Sequence, residues 1–398
     1  MKKFHPKNLI LAAFSATLLI FSYSCSGGGG SLAGGGIDGT GSISGFGSIF
    51  VNGSEFDTSN AEIIVNGELI GIGDEVVLDN LDVGRVVNVK GSFGKGDESY
   101  VADQVIYSNN LVGPVERISS IDAKTKEVVV LGQTVILNVN TSFKGTGFET
   151  IAVEDAVEVS GFFDDTGTIW ATFIGKNGVF TPGMEVEVTG SVSNLDNDQM
   201  VFTINDLIVD YQFADTSGLP GGILTEDMLV EVDGSLDETG AVLVAAVIEP
   251  GDGLDAENAD QMEIAGFVTA QASTTEFTIG NQVVIIDPEA IFVDGTRDDI
   301  TPGVKLEAEG SLLDGILHAW EIEFWEPDQV EVEDAVTDIV SSAEFTVGDQ
   351  VIQTDEHTVF DGGTPEDIEL GVLIEIKGVP TDIDYSIIIA DKVSFEVE

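Results

Sequence analysis

Five times in this chain a short alternating strand ends on a glycine: "VNVKG" (87–91), "VEVSG" (157–161), "VEVDG" (230–234), "LEAEG" (306–310) and "IEIKG" (374–378). The closing residues Gly91, Gly161, Gly234, Gly310 and Gly378 lie 70, 73, 76 and 68 residues apart. After each, at a distance of 9 to 12 residues, an alanine opens another strand: "ADQV", "ATFI", "AAVI", "AWEI" and "ADKV". A fixed period constrains a fold strongly, because each repeat must be one structural unit. Within "VEVSG", Val157 and Val159 face one way and Glu158 the other, the pattern of a strand half buried in a sheet.

Upstream, each unit carries two apolar runs around a turn-forming centre: "SIFVNGSEF", "VVVLGQTVIL", "MVFTINDLIV", "EFTIGNQVVII" and "EFTVGDQVI". The opening strands read "GSISG", "GPVER", "GSVSN", "GFVTA" and "AVTDI". Linkers such as "DDTG" and "DETG" suit hairpin turns. Helical periodicity is nearly absent, with one turn expected at "TPEDIEL". The prediction is an all-β chain of five tandem small barrels, OB-like or Greek-key, with a small sandwich as second choice. Closing each sheet removes its exposed edges. The expected units are 39–108, 110–177, 184–249, 262–326 and 330–398. Domains of this size are marginal alone, so neighbours should pack together or continue a strand across a boundary. "TPGMEVEVTG" (181–190) and "WEPDQVEVEDA" (325–335) read as such joints.

The N-terminus carries Lys2, Lys3 and Lys7 ahead of "LILAAFSATLLIF", an uncharged run from Leu9 to Phe21. That order describes a secretory signal over residues 1–24, and the run is shorter than a bilayer-spanning helix requires. Cys25 follows directly as the single cysteine, so it has no internal disulfide partner. The stretch resembles a bacterial lipobox in which the cysteine becomes the lipidated first residue, although Ser22 stands where leucine is usual. Several acyl chains on Cys25 would anchor stably, where one would not. Residues 25–38 are then the lipidated cysteine and a glycine-rich tether, of which 26–38 span roughly 20 Å as a coil. By family habit Ser26 favours the outer membrane, on its periplasmic face or at the cell surface.

Charge restricts partners. The chain has 15 Lys+Arg against 71 Asp+Glu, and residues 177–296 hold 23 acids with no Lys or Arg. Such a surface repels phosphate backbones and anionic headgroups, which excludes nucleic acid and leaves the acyl chains as the membrane contact. With 43% hydrophobic residues the chain is no disordered acidic tail. Dispersed carboxylates keep a protein soluble and monomeric. They could also capture Ca²⁺, for which the closest clusters are Asp294, Asp298 and Asp299, and Asp252, Asp255 and Asp260. Neither has EF-hand spacing, and both read equally as turns.

Three stretches carry a family resemblance: "GSISGFGSIFVNGSEFDTSNAEI" (41–63), "NLVGPVERISSID" (110–122) with "VVLGQTVILNVNTSF" (129–143), and "VEVSGFFDDTGTIWATFI" (157–174). They resemble the bacterial family catalogued as domain of unknown function 5666, specifically over 39–176 and more weakly to the C-terminus. The resemblance implies tandem small β-barrels, frequently on lipoproteins, and no reaction.

No catalytic motif emerges. The motifs H-E-x-x-H, G-x-S-x-G and G-x-x-x-x-G-K-[S/T] are absent, and the single cysteine excludes cysteine-based zinc sites. His357 stands beside a turn, and His318 shares strand parity with Ile316, Trp320 and Ile322, placing it at a rim or half buried. Trp170, Trp320 and Trp325 could stack on sugars, but aromatics in small barrels more often fill cores. The expectation is a non-catalytic, lipid-anchored, monomeric envelope protein without cofactor, presenting acidic barrels for spacing, adhesion or envelope assembly. The alternative is a divalent-cation or glycan binding module on the cell surface, with an envelope protein or glycan as partner.

Overall fold

In the computed structural model, each recurring glycine stands across an antiparallel strand pair from its recurring alanine. The pairs are Gly91 with Ala102, Gly161 with Ala171, Gly234 with Ala245, Gly310 with Ala319, and Gly378 with Ala390. All five sit at a β-bulge, the register slipping immediately before the glycine. A Cβ on these glycines would lie 2.4, 2.2, 2.2, 2.1 and 2.3 Å from the carbonyl oxygens of Val101, Trp170, Val244, His318 and Ile389. Only glycine permits that approach. Gly234→Val should therefore cost about 1–3 kcal/mol through forced backbone movement. A melting midpoint of the full chain equal to that of the unaltered protein would refute the close approach.

The structure describes residues 36–395 apart from 47–48, 53, 94–99, 139, 252–257, 326–329, 349 and 382–386. The predicted signal segment, Cys25 and the tether as far as residue 35 lie outside the described residues. Residues 36–38, assigned to the tether by composition, are strand: Ile37 pairs with Gly91 on one side and Gln261 on the other.

The last barrel shows the common plan. Its strands are Val330–Ser341, Glu344–Val347, Gln350–Asp361, Leu373–Pro380 and Ile387–Phe395. They close in the order first, second, third, fifth, fourth. The third and fifth run parallel and all other neighbours antiparallel. This is the Greek-key order of an OB-fold. The four preceding barrels repeat it, with opening strands at Gly36–Phe46, Leu111–Ser120, Glu185–Ser191 and Asn258–Ser273. Their fourth and fifth strands are Val86–Phe93 and Tyr100–Tyr107, Asp155–Phe163 and Ile169–Val179, Leu229–Leu236 and Val242–Pro250, and Lys305–Leu313 and Ile316–Trp325. Strand alternation places Val157, Val159, Val230, Val232, Leu306 and Ala308 in the cores, all fully buried.

Barrel 1 departs from the plan. It adds a strand at Glu68–Ile72 and a helix at Asp74–Asn80, with only Val77 of the helix buried. Seven residues with one buried side chain carry no readable periodicity, so this helix has no sequence signature. In barrels 4 and 5 the corresponding connection is a short turn, Arg297–Asp299 and Pro365–Asp367, the latter within the expected "TPEDIEL" turn.

The barrels do not simply follow one another like beads. The opening strand of barrel 1 runs parallel to that of barrel 4, Ile37 to Thr40 pairing with Gln261 to Ile264. Barrels 2 and 3 join antiparallel through Glu187 with Val112 and Val188 with Leu111. Two twelve-stranded sheets result, and barrel 5 closes on itself.

Candidate functional site

Barrels 1 and 2 meet around a buried cation, Arg85. Arg85 precedes the fourth strand of barrel 1, and its guanidinium reaches Asp82 at 3.3 Å and Glu158 of barrel 2 at 2.5 Å. Its carbon lies 4.5 Å from the ring centroids of both Tyr107 and Phe173, so the planar group is sandwiched between the two barrels. Lys144 adds a second bond to Asp82 at 2.8 Å, and Val86 N donates to Ser160 Oγ at 2.8 Å.

A polar chain runs from this pin into barrel 3. The Tyr107 hydroxyl donates to Asn109 Oδ1 at 2.7 Å, and Asn109 Nδ2 donates to Glu187 Oε2 at 3.4 Å. Glu187 is 7% exposed and its other carboxylate oxygen has no partner among the described residues. Burial pushes its carboxyl up to about 8, reinforced by Glu231 and Asp233 nearby. Burial likewise raises the Tyr107 phenol, keeping it the hydrogen-bond donor.

Beside this chain lies a cleft of about 300 Å³, lined by all four barrels. Phe162 and Phe267 supply rings, and Asn88, Asn110 and Gln282 supply amides. Lys90 and Glu231 are its charged residues. The lining includes neither histidine nor cysteine among the described residues. Phe267 is buried and held against Trp170, ring centroids 5.3 Å apart.

A second polar cluster covers the outer face of barrel 4. Glu263, Glu307 and Glu309 stand on its first and fourth strands, opposite Glu321 and Glu323 on the fifth. Barrel 1 contributes Ser54, which donates to Glu263, and Tyr100, which accepts from Gln261. Barrel 5 contributes Lys377, bonded to Glu323 and 5.0 Å from the Trp325 ring centroid. Burial holds the carboxyls of Glu307 and Glu309 up at about 7, and that of Glu263 well above the usual range. Burial also pushes Lys305 down to about 8.

The residues singled out from sequence do not converge. Asp299 caps the Arg297–Asp299 turn by bonding Thr296, while Asp294 is exposed in a left-handed turn at φ 56° and Asp298 is exposed. Thr364 and Asp367 repeat that cap in barrel 5. Asp252 and Asp255 lie outside the described residues, and Asp260 is exposed. Among the described residues no three His, Cys, Asp or Glu side chains are placed to hold a metal ion. His318 is 34% exposed and 3.9 Å from Asp287, and His357 is exposed on its strand. The expected shared parity of His318 with Ile322 fails: Trp320 sits in the bulge, so Ile322 turns inward and is fully buried. The tryptophans are separated, Trp170 donating to Asp164 and packing on Phe267, Trp320 partly exposed, and Trp325 beside Lys305 and Lys377.

Arg85, Asn109, Glu187 and Asn88 were not foreseen. One clue was available: Arg85 is one of three arginines in a chain dominated by acids.

Strand order and recurring bulge together define an array of OB-like barrels. The chain belongs to the family described as domain of unknown function (DUF5666), whose model matches residues 112–175, 189–249, 265–323 and 335–386. Those four segments fall in barrels 2 to 5. The resemblance read from residues 41–63 lies outside them, in the barrel that carries the added strand and helix. No curated protein matches the chain.

Proposed function

We propose that this is a non-catalytic cell-envelope protein, anchored by acyl chains on Cys25, that presents a rigid acidic barrel array for spacing, adhesion or envelope assembly. The observation behind it is the strand pairing between barrels 1 and 4, which are not neighbours in sequence. Continuous sheets resist hinge motion, so the array suits the role of a fixed spacer better than that of a flexible string. The lipobox-like Cys25 supplies the anchor and Ser26 the outer-membrane address, with the protein working as a monomer.

Membrane fractionation with detergent phase separation tests the anchor. The native protein should enter the detergent phase, and Cys25→Ala should release it to the aqueous phase. An intact mass showing an unmodified thiol at Cys25 would overturn the anchored reading.

A further inference from the structure

We infer that the four-barrel cleft is a binding site for a neutral carbohydrate of one or two sugar rings. Its volume of about 300 Å³ sits at the lower end of the range for small-ligand pockets, and domain junctions are favoured places for such sites. The chemistry of the lining narrows the class. Asn88 Nδ2 donates to Thr40 Oγ1 at 2.9 Å, while Asn88 Oδ1 is buried without a partner among the described residues. A buried orphan acceptor calls for a donor. Asn110 accepts from Gly161 N through Oδ1 at 2.7 Å, which leaves its NH₂ for a ligand. Gln282 donates to the Val283 and Gly315 carbonyls at 2.8 and 3.0 Å, which leaves its Oε1 as an acceptor. The cleft thus offers two acceptors and a donor beside apolar rings. Vicinal hydroxyls on a sugar, which both donate and accept, match that set, and the C–H face of the ring packs on Phe162.

Charge argues against the other classes. Lys90 and Glu231 carry opposite signs, and a single carboxylate among the lining residues is too few for a hard cation that wants six to eight oxygens. Anions and nucleic acid would face the field of a chain with 71 acids. The rings are also pre-set: Phe267 is held by Trp170, and Trp170 by its bond to Asp164 at 3.0 Å. A rigid platform lowers the ordering cost of binding.

The test is calorimetric titration of the detergent-solubilised full chain with glucose, galactose, N-acetylglucosamine and their 1,4-linked dimers, alongside CaCl₂ and inorganic phosphate. At least one neutral sugar should give saturable heat. Asn88→Ala and Phe162→Ala should each weaken it about five- to tenfold, as expected for one lost hydrogen bond or one lost ring contact. No saturable heat with any sugar, binding confined to phosphate or Ca²⁺, or unchanged affinity in both variants would overturn the site. If either variant loses its fold, fluorescence of the unaltered chain decides. The sugar that binds should shift the emission, Trp170→Phe should abolish the shift, and no shift counts against the cleft. Either result leaves the Cys25 anchor untouched, since that is read by fractionation.

Discussion

Arg85→Ala should destabilise the full chain by about 3–5 kcal/mol, the loss typical of breaking a buried ion pair from one side. The variant leaves Asp82 and Glu158 facing each other across the barrel 1–2 junction without the guanidinium that now joins them at 3.3 and 2.5 Å. It also opens the space between Tyr107 and Phe173, each 4.5 Å from the missing carbon. Arg85→Lys separates the two contributions. Lysine restores a positive charge but not the planar fork or the stacking, so it should recover only part of the loss. Adding Glu158→Gln to Arg85→Ala should also recover part, because the uncompensated charge is then gone. Urea unfolding followed by tryptophan fluorescence measures all three. If Arg85→Ala unfolds at the same urea concentration as the unaltered protein, the pin does not join the barrels.

The sequence made the barrels readable because their determinants are local. Gly310 and Ala319 lie 9 residues apart and meet across one hairpin; turn signals such as "DETG" act within four residues. Parity arguments held until a bulge intervened, as at Trp320, where one extra residue turns Ile322 inward. What stayed hidden was how the barrels meet. Glu187, Glu263 and Glu307 alternate with apolar neighbours and so look like the wet face of a strand. Their burial depends on another barrel arriving there, and nothing in a period-two pattern reports which barrel does. The parallel pairing of Ile37–Thr40 with Gln261–Ile264 joins segments more than 200 residues apart, beyond any local signal. The cleft inherits the same difficulty, since Asn88, Asn110 and Gln282 come from three different barrels.

Between pH 5.5 and 8 the chain should lose stability, and Glu307→Gln should remove part of that loss. Ordinary carboxylates have given up their protons by about pH 5.5, so the slope above it belongs to groups whose folded values are raised. They include Asp38 at about 6, Glu307 and Glu309 at about 7, Glu263 above the usual range, and Glu187 at about 8. For an acid raised by folding, the folded state binds more protons than the unfolded one. The contribution is therefore full below the unfolded value near 4.5 and fades as pH rises through the folded value. Lys305, pushed down to about 8, acts in the opposite sense but only above that pH. The groups facing Glu307 decide how steep the loss is: Glu263 and Glu309 beside it, Glu323 across the pair, and Lys305 and Lys377 as counter-charges. Partial solvent contact screens these interactions, so each carboxylate should contribute of the order of 1 kcal/mol. Glutamine at 307 keeps the hydrogen-bonding shape of the protonated acid and cannot ionise. The variant should match the unaltered protein at pH 5.5 and melt higher at pH 8, while Glu366→Gln, an exposed site in barrel 5, should do neither. A Glu307→Gln chain whose melting midpoint falls with pH as steeply as that of the unaltered protein would show that the barrel 4 carboxylates do not hold protons at neutral pH.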